Sequence, residues 1–228
     1  MHGIVEAFNT YPNNSQLYNF QAYGFEACSL SYKYCKLRFK KYDNVKVTHG
    51  AITDKEKPVR LYYAENDVGH SIYKSKNQAL EQSNDFSQNA PLQIPTHLAE
   101  HYFDTNDKSL VIEYLTRNGA YVANEENFRI VRKPDGITAD TFGITHRAVA
   151  RQTHEDVDGV VFSKWLKKNI DDIENSLNIL RVNIEGAEWS LFNDLVDNDL
   201  VKHFDVFCGA GEDIEKIPEI SNDDYYQL

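Results

Sequence analysis

Cysteine is scarce. Cys28, Cys35 and Cys208 are the only three among 228 residues, and no two stand in Cys-x-x-Cys spacing. An odd count without that spacing argues against a disulfide framework and a structural zinc site, and points to a reducing compartment, the cytoplasm. A positive charge balance is missing too. The chain sets 35 acids against 24 Lys and Arg, a formal net charge of -11. Nucleic acids and anionic membranes are held by clustered cations, so both are excluded as expected partners. The densest basic stretch, Lys36 to Lys41, alternates with Leu37 and Phe39 and reads as the solvated face of a helix. No run is long and apolar enough to span a bilayer, and the first residues lack a signal-peptide pattern. There is no internal repeat and no Gly-x-Gly-x-x-Gly. Gly209-Ala210-Gly211 lacks that spacing and reads as a turn, with Cys208 before it as a buried, inert thiol.

What the chain does contain is a strand-to-helix junction at residues 178–195, NILRVNIEGAEWSLFNDL. Ile179, Leu180, Val182 and Ile184 form a nearly continuous apolar run, the pattern of a buried strand. Trp189, Leu191, Phe192 and Leu195 follow at helical spacing, and Asn183, Glu185, Gly186 and Glu188 lie at the junction. Open α/β sheets hold ligands at the carboxyl ends of their strands. The same acids serve equally well as caps favouring the positive end of the helix.

The 41% hydrophobic content is enough for one large domain spanning 1–228. Ile4 to Phe8 predicts a first strand, starting so abruptly that the chain reads as excised from a longer multidomain protein. After the loop NTYPNNS, Ala22 to Glu26 predicts a second strand ending on an acid. Residues 29–41 predict a helix capped by Ser29, and residues 45–52 a third strand. Strand, helix, strand with short connections implies a parallel pair, the first half of a doubly wound, mostly parallel, Rossmann-like α/β sheet. Residues 59–64 and 71–73 read as a hairpin-like addition. Residues 74–156 read as a long insertion forming a lid or substrate wall, with short helices over 98–103 and 109–118 and strand-like alternation over 121–131 and 141–150. From Val157 order returns: an apolar Val160-Val161-Phe162, then a helix capped by Ser163 with Trp165, Leu166 and Ile170 inward. The junction follows, then a strand over 203–210, a short helix over 213–217 and a polar tail.

Glu26 is the most informative residue, because an acid at the end of the second strand can accept two hydrogen bonds from a ribose diol. The series IVEAF, YGFEA, VTHGAI, GHSIY, FSKWLKKNI and RVNIEGAE, in this order, resembles the FkbM-type family of S-adenosylmethionine-dependent methyltransferases over residues 4–73 and 157–211. RVNIEGAE carries most of the likeness. The resemblance implies a class I methyltransferase-like fold, with 74–156 inserted between the third and fourth core strands. It also implies methyl transfer to a hydroxyl of a sugar in a glycan or glycoconjugate. Glu26, with Ala27, would bind the cofactor's ribose. Glu6 and the loop Phe8, Asn9, Thr10 would approach its methionine part, and Gly50, Ala51 and Ile52 its adenine. Asn183 and Glu185 would sit near the transferred methyl. Other domains of a larger glycan-synthesis protein are the implied partners.

Methylation of oxygen needs the hydroxyl in line behind the methyl and a base for its proton. Candidate bases are His49, His70, His146, Glu185 and Glu188; His70, in the glycine-containing loop VGHSIY, is foremost, with Ser71, His146 and Glu188 assigned to the acceptor. Glu185 and Asn183 could offer oxygens to a divalent cation, but spacing alone does not predict one. The chain departs from the family at two places. EAFNTYPNNS has no glycine, and Asn183 stands where the family has Asp and cannot act as a base. These departures leave two alternatives: a degenerate, non-catalytic binding domain, or another nucleotide-using α/β enzyme acting on sugar nucleotides.

Overall fold

The computed structural model describes residues 20–64, 69–74, 93–122, 124–126, 128–133, 136–139, 144–145 and 151–209. The expected strand at residues 4–8, the helix at 213–217, and most of the polar stretch after Lys74 lie outside them. The first described strand, β1 (Ala22–Glu26), is followed by α1 (Ser29–Phe39) and β2 (Val45–His49). β1 and β2 pair in parallel from Ala22↔Val45 to Glu26↔His49, as the strand-helix-strand spacing predicts.

The expected third strand, 45–52, is broken at Gly50. β3 (Ala51–Ile52) leaves β2 and pairs in parallel with β9 (His154–Val160). At the break the Gly50 N–H donates to the Glu26 carbonyl at 3.1 Å, and a Cβ there would come within 2.7 Å of Val160 Cγ2. Only a residue without a side chain lets the backbone cross between sheets so tightly. β4 (Pro58–Tyr62) pairs antiparallel with β9 from Pro58↔Asp158 to Tyr62↔His154, instead of with residues 71–73. The expected hairpin is reduced to one bridge, Tyr62↔Ser71.

Two helices, α2 (Thr96–Thr105) and α3 (Ser109–Arg117), fall where the apolar periodicity of 74–156 places them. Short antiparallel pairs follow: β5 (Tyr121–Val122) with β8 (Ile144–Thr145), and β6 (Ile130–Lys133) with β7 (Gly136–Ala139). After β9 come α4 (Phe162–Asn169), β10 (Ile179–Val182), α5 (Glu188–Asp197), a 3-10 turn at Val201–His203, and β11 (Val206–Gly209). β10 and β11 pair in parallel. The fold is mixed α/β, and among the described residues its strands form separate small sheets.

Three local expectations are corrected. β10 is not buried throughout: Ile179 is 48% exposed, Arg181 is exposed, and only Val182 is sealed. Its described neighbour β11 exposes Val206, Phe207 and Cys208, so Cys208 is not a buried thiol either. Ser29 and Ser163 do not cap their helices. The N-cap positions fall on Cys28 and Val161. The Ser29 N–H donates to Glu155 Oε1 at 2.8 Å, and the Ser163 N–H and hydroxyl donate to the two carboxylate oxygens of Asp194.

The core has two parts. The larger joins Cys28, Leu30, Ala51, Leu61 and Val157 to Leu98, Ala99, Leu110, Val111, Leu115 and Phe128. The smaller joins Ile52, Phe162, Leu166, Val182, Leu191, Leu195 and Leu200, with Phe25, Trp165 and Ile170 packed on it. The described part of 74–156 therefore supplies the most deeply sealed side chains of the larger core. Phe128, Leu98, Val111 and Leu115 all lie at or near zero exposure. The apolar faces of α2 and α3 are buried in that core, each large side chain contributing about 1.5–3 kcal/mol. Phe128→Ala should cost about 3–5 kcal/mol in urea denaturation. A cost near zero would mean that Phe128 is not part of the core.

Candidate functional site

The parallel register of β1 and β2 sets Glu26 and His49 side by side at the carboxyl ends of their strands. The chain then turns into α1, and Glu26 Oε1 accepts the Cys28 N–H at 3.0 Å. Burial raises the Glu26 carboxyl above the ordinary glutamate value, while the Cys28 N–H, then the electrostatic influence of His70 and His49 and the Ala27 N–H, pull it back down. His49 Nε2 lies 3.1 Å from the Ala27 carbonyl, to which it donates, and its ring stacks on Tyr32 at 4.9 Å. One carboxylate in a largely dry setting thus faces two imidazoles.

The loop after β4 approaches from the other side. His70 Nδ1 accepts the Ala64 N–H at 2.9 Å, and its ring lies 5.0 Å from that of Tyr63. An Nδ1 that accepts leaves the proton of the neutral ring on Nε2. His70 is then a donor at Nε2 and does not offer the lone pair a base needs, contrary to its expected role. Ser71 is sealed; its hydroxyl donates to the Glu185 carbonyl at 2.7 Å and accepts the Tyr73 N–H at 3.1 Å. Those two bonds occupy the hydroxyl that was assigned to the acceptor.

Glu185 stands in left-handed backbone, φ 56°, followed by Gly186 at φ 104°. A non-glycine residue there costs about 1 kcal/mol or more and persists only when its surroundings enforce it. Glu188 does so. It is 1% exposed, and its two oxygens accept the N–H groups of Ile184 at 2.9 Å and Gly186 at 2.5 Å. Glu188, the first residue of α5, therefore clamps the turn ahead of the helix instead of capping the helix itself, and both its oxygens are engaged there. The clamp carries the Glu185 carboxylate against Gly69, where a Cβ would lie 3.4 Å from Glu185 Oε2. Gly69, at φ 86°, is the position beside His70 that leaves room for that carboxylate.

Glu26, His49 and His70 thus form one electrostatic group, and Glu185 reaches the same loop through Ser71 and Gly69. Ala27 lies in the turn beside Glu26. Gly50 borders the group through its bond to Glu26, whereas Ala51 and Ile52 are core residues. Asn183 is exposed. Glu6, Phe8, Asn9, Thr10 and His146 lie outside the described residues. His49 is more central than its place among several candidate bases suggested, and only the β1–β2 register reveals it. Among the described residues no group of three or more His, Cys, Asp and Glu side chains is placed to hold a metal ion, and no helix is long and apolar enough to cross a membrane. No family model matches the chain, and no curated protein or solved structure matches it.

A raised folded-state pKa at Glu26 means the folded chain binds that proton more tightly than the unfolded chain. The stabilisation is full below the unfolded value and is lost as pH rises through the folded one. Wild type should accordingly lose stability against Glu26→Gln as pH climbs above the ordinary glutamate value of about 4.3 in urea titrations, since the amide has no proton to lose. Parallel curves would mean the carboxyl is not desolvated. At the other turn, Glu188→Ala leaves two N–H groups without their acceptor and should cost at least about 2 kcal/mol by the same measurement.

Proposed function

We propose that the chain is an S-adenosylmethionine-dependent O-methyltransferase acting on a hydroxyl, with a sugar of a glycan or glycoconjugate as acceptor. The observation that carries this reading is the desolvated Glu26 carboxylate at the carboxyl end of the parallel β1–β2 pair. One of its oxygens is fixed on the turn, and His49 at the end of β2 and His70 in the segment after β4 both act on it electrostatically. A carboxylate so placed suits a ribose diol, the part of the cofactor that a second-strand acid holds on doubly wound sheets. The resemblance of RVNIEGAE and YGFEA to FkbM-type methyltransferases supports the same reading. In it, the pairs β1–β2 and β10–β11 belong to one doubly wound sheet, and the insertion 74–156 is a wall of the site, its described part packing into the core.

When bound, the cofactor supplies an electrophilic methyl on a sulfonium. The chain's own residues position and deprotonate. Glu26 takes the diol, and the His70 Nε2–H donates to an oxygen of the bound molecules. Glu185, held in left-handed backbone by the Glu188 clamp, takes the proton of the attacking hydroxyl. The base is therefore Glu185 and not Asn183 or His70. The neutral amide of Asn183 cannot accept that proton.

A second reading, a non-catalytic binding domain of the same fold, is favoured by the hydrogen bonds that already engage Ser71 and Glu188. Calorimetric titration with S-adenosylhomocysteine separates the two. Wild type should bind it, and Glu26→Ala should weaken binding by about 1.5–3 kcal/mol, since hydrogen bonds to a charged group are lost. No heat at millimolar ligand excludes the enzyme. A thermal-shift response to a nucleotide sugar in its place would identify a sugar-nucleotide enzyme instead.

A further inference from the structure

Arg117 is buried to 8% exposure at the end of α3, far in sequence from every residue of the candidate site. A guanidinium remains charged in proteins, so one set this deep needs partners. Its Nη1 donates to Cys28 Sγ at 3.2 Å, and its Cζ lies over the Tyr63 ring, 4.3 Å from the centroid. These two contacts fall on opposite walls of the site. Cys28 is the residue whose N–H holds Glu26 Oε1. Tyr63 packs on the His70 ring, and the next residue, Ala64, donates the N–H that fixes the His70 tautomer. The backbone ties the same node together. The Arg117 carbonyl accepts the Gln152 N–H at 2.9 Å, the Tyr63 N–H donates to the Thr153 carbonyl at 2.9 Å, and an Arg151 guanidinium N–H donates to the Ala64 carbonyl at 3.1 Å. Burial pushes the Tyr63 phenol well up, helped by the nearby Glu155 charge, so Tyr63 stays neutral under the guanidinium.

We infer that Arg117 is a positioning residue of this site: it spans the Glu26 turn and the Tyr63–His70 wall and sets the distance between them. The role rests on the methyltransferase reading for its ligand, and not for its structural half. A bare positive charge would not suffice. The planar fork is needed to stack on Tyr63 while one arm reaches Cys28.

Arg117→Lys keeps the charge and Arg117→Met keeps most of the volume. Arg132→Met serves as control, because Arg132 is exposed and pairs with Glu100 away from the site. Two readouts apply to variants shown by circular dichroism to be folded. The ¹⁵N signals of the His70 ring report the tautomer without any ligand, and calorimetry with S-adenosylhomocysteine reports the Glu26 turn. Arg117→Lys should melt close to wild type, yet show averaged His70 ring signals and bind at least tenfold more weakly. Arg132→Met should match wild type in both. Unchanged His70 signals in Arg117→Lys and Arg117→Met overturn the positioning role whatever the ligand. Unchanged affinity alongside wild-type binding overturns it as well. Wild type that fails to bind, with His70 still perturbed, overturns the methyltransferase reading and leaves Arg117 as the spacer of the two walls.

Discussion

The first N–H groups of a helix have no partner within it and must find acceptors, and this requirement organises the described structure. None of its five α-helices is capped by the side chain of its own N-cap residue. Carboxylates from elsewhere do the work at two of the starts: Glu155 on β9 takes the Ser29 N–H, and Asp194 on α5 takes the Ser163 N–H. Because both acceptors are distant in sequence, each cap is also a tertiary tie: β9 to α1, and α5 to α4. Capping and packing are therefore one set of interactions here, and losing either acid would loosen two elements.

The candidate site inherits its geometry from those ties. Glu155 and Arg117 hold the β1–α1 turn from behind, so Glu26 is presented by a turn anchored at Ser29 and Cys28. Glu188 holds the other turn in backbone that Glu185 would not choose alone. Ser71 then links the two sides by one short hydroxyl-to-carbonyl bond. Charge balance follows from the same arrangement. A desolvated carboxyl faces histidines instead of a fixed cation, so its protonation depends on its surroundings.

Sequence legibility divides along the same line. The helices were legible in position, and the apolar period of α5 in detail, whereas α1 buries Leu30 and Phe39 and leaves Leu37 exposed; β1 and β2 were readable as a parallel pair from their short connection. Glu26 stood out for the same reason, at the end of a strand. The caps were misread because serine is the usual local choice, while the acceptors used here come from distant segments. The 45–52 strand was read as one element because nothing local in VKVTHGAI shows that Val160 crowds Gly50. Arg117 gave no signal at all: one basic residue at a helix end is normally a solvated side chain.

Sequence alone determined where the five helices fall, the parallel β1–β2 pair and the acid at the end of β1, since these follow from propensity, spacing and short connections. Only tertiary structure decided that the apolar faces of α2 and α3 and Phe128 belong to the core and that Glu188 is a clamp. It alone decided that His70 is fixed as a donor, and that Arg117 reaches both walls. Each of those depends on which desolvated polar group finds which partner, a pairing between segments far apart in the chain that no local pattern encodes.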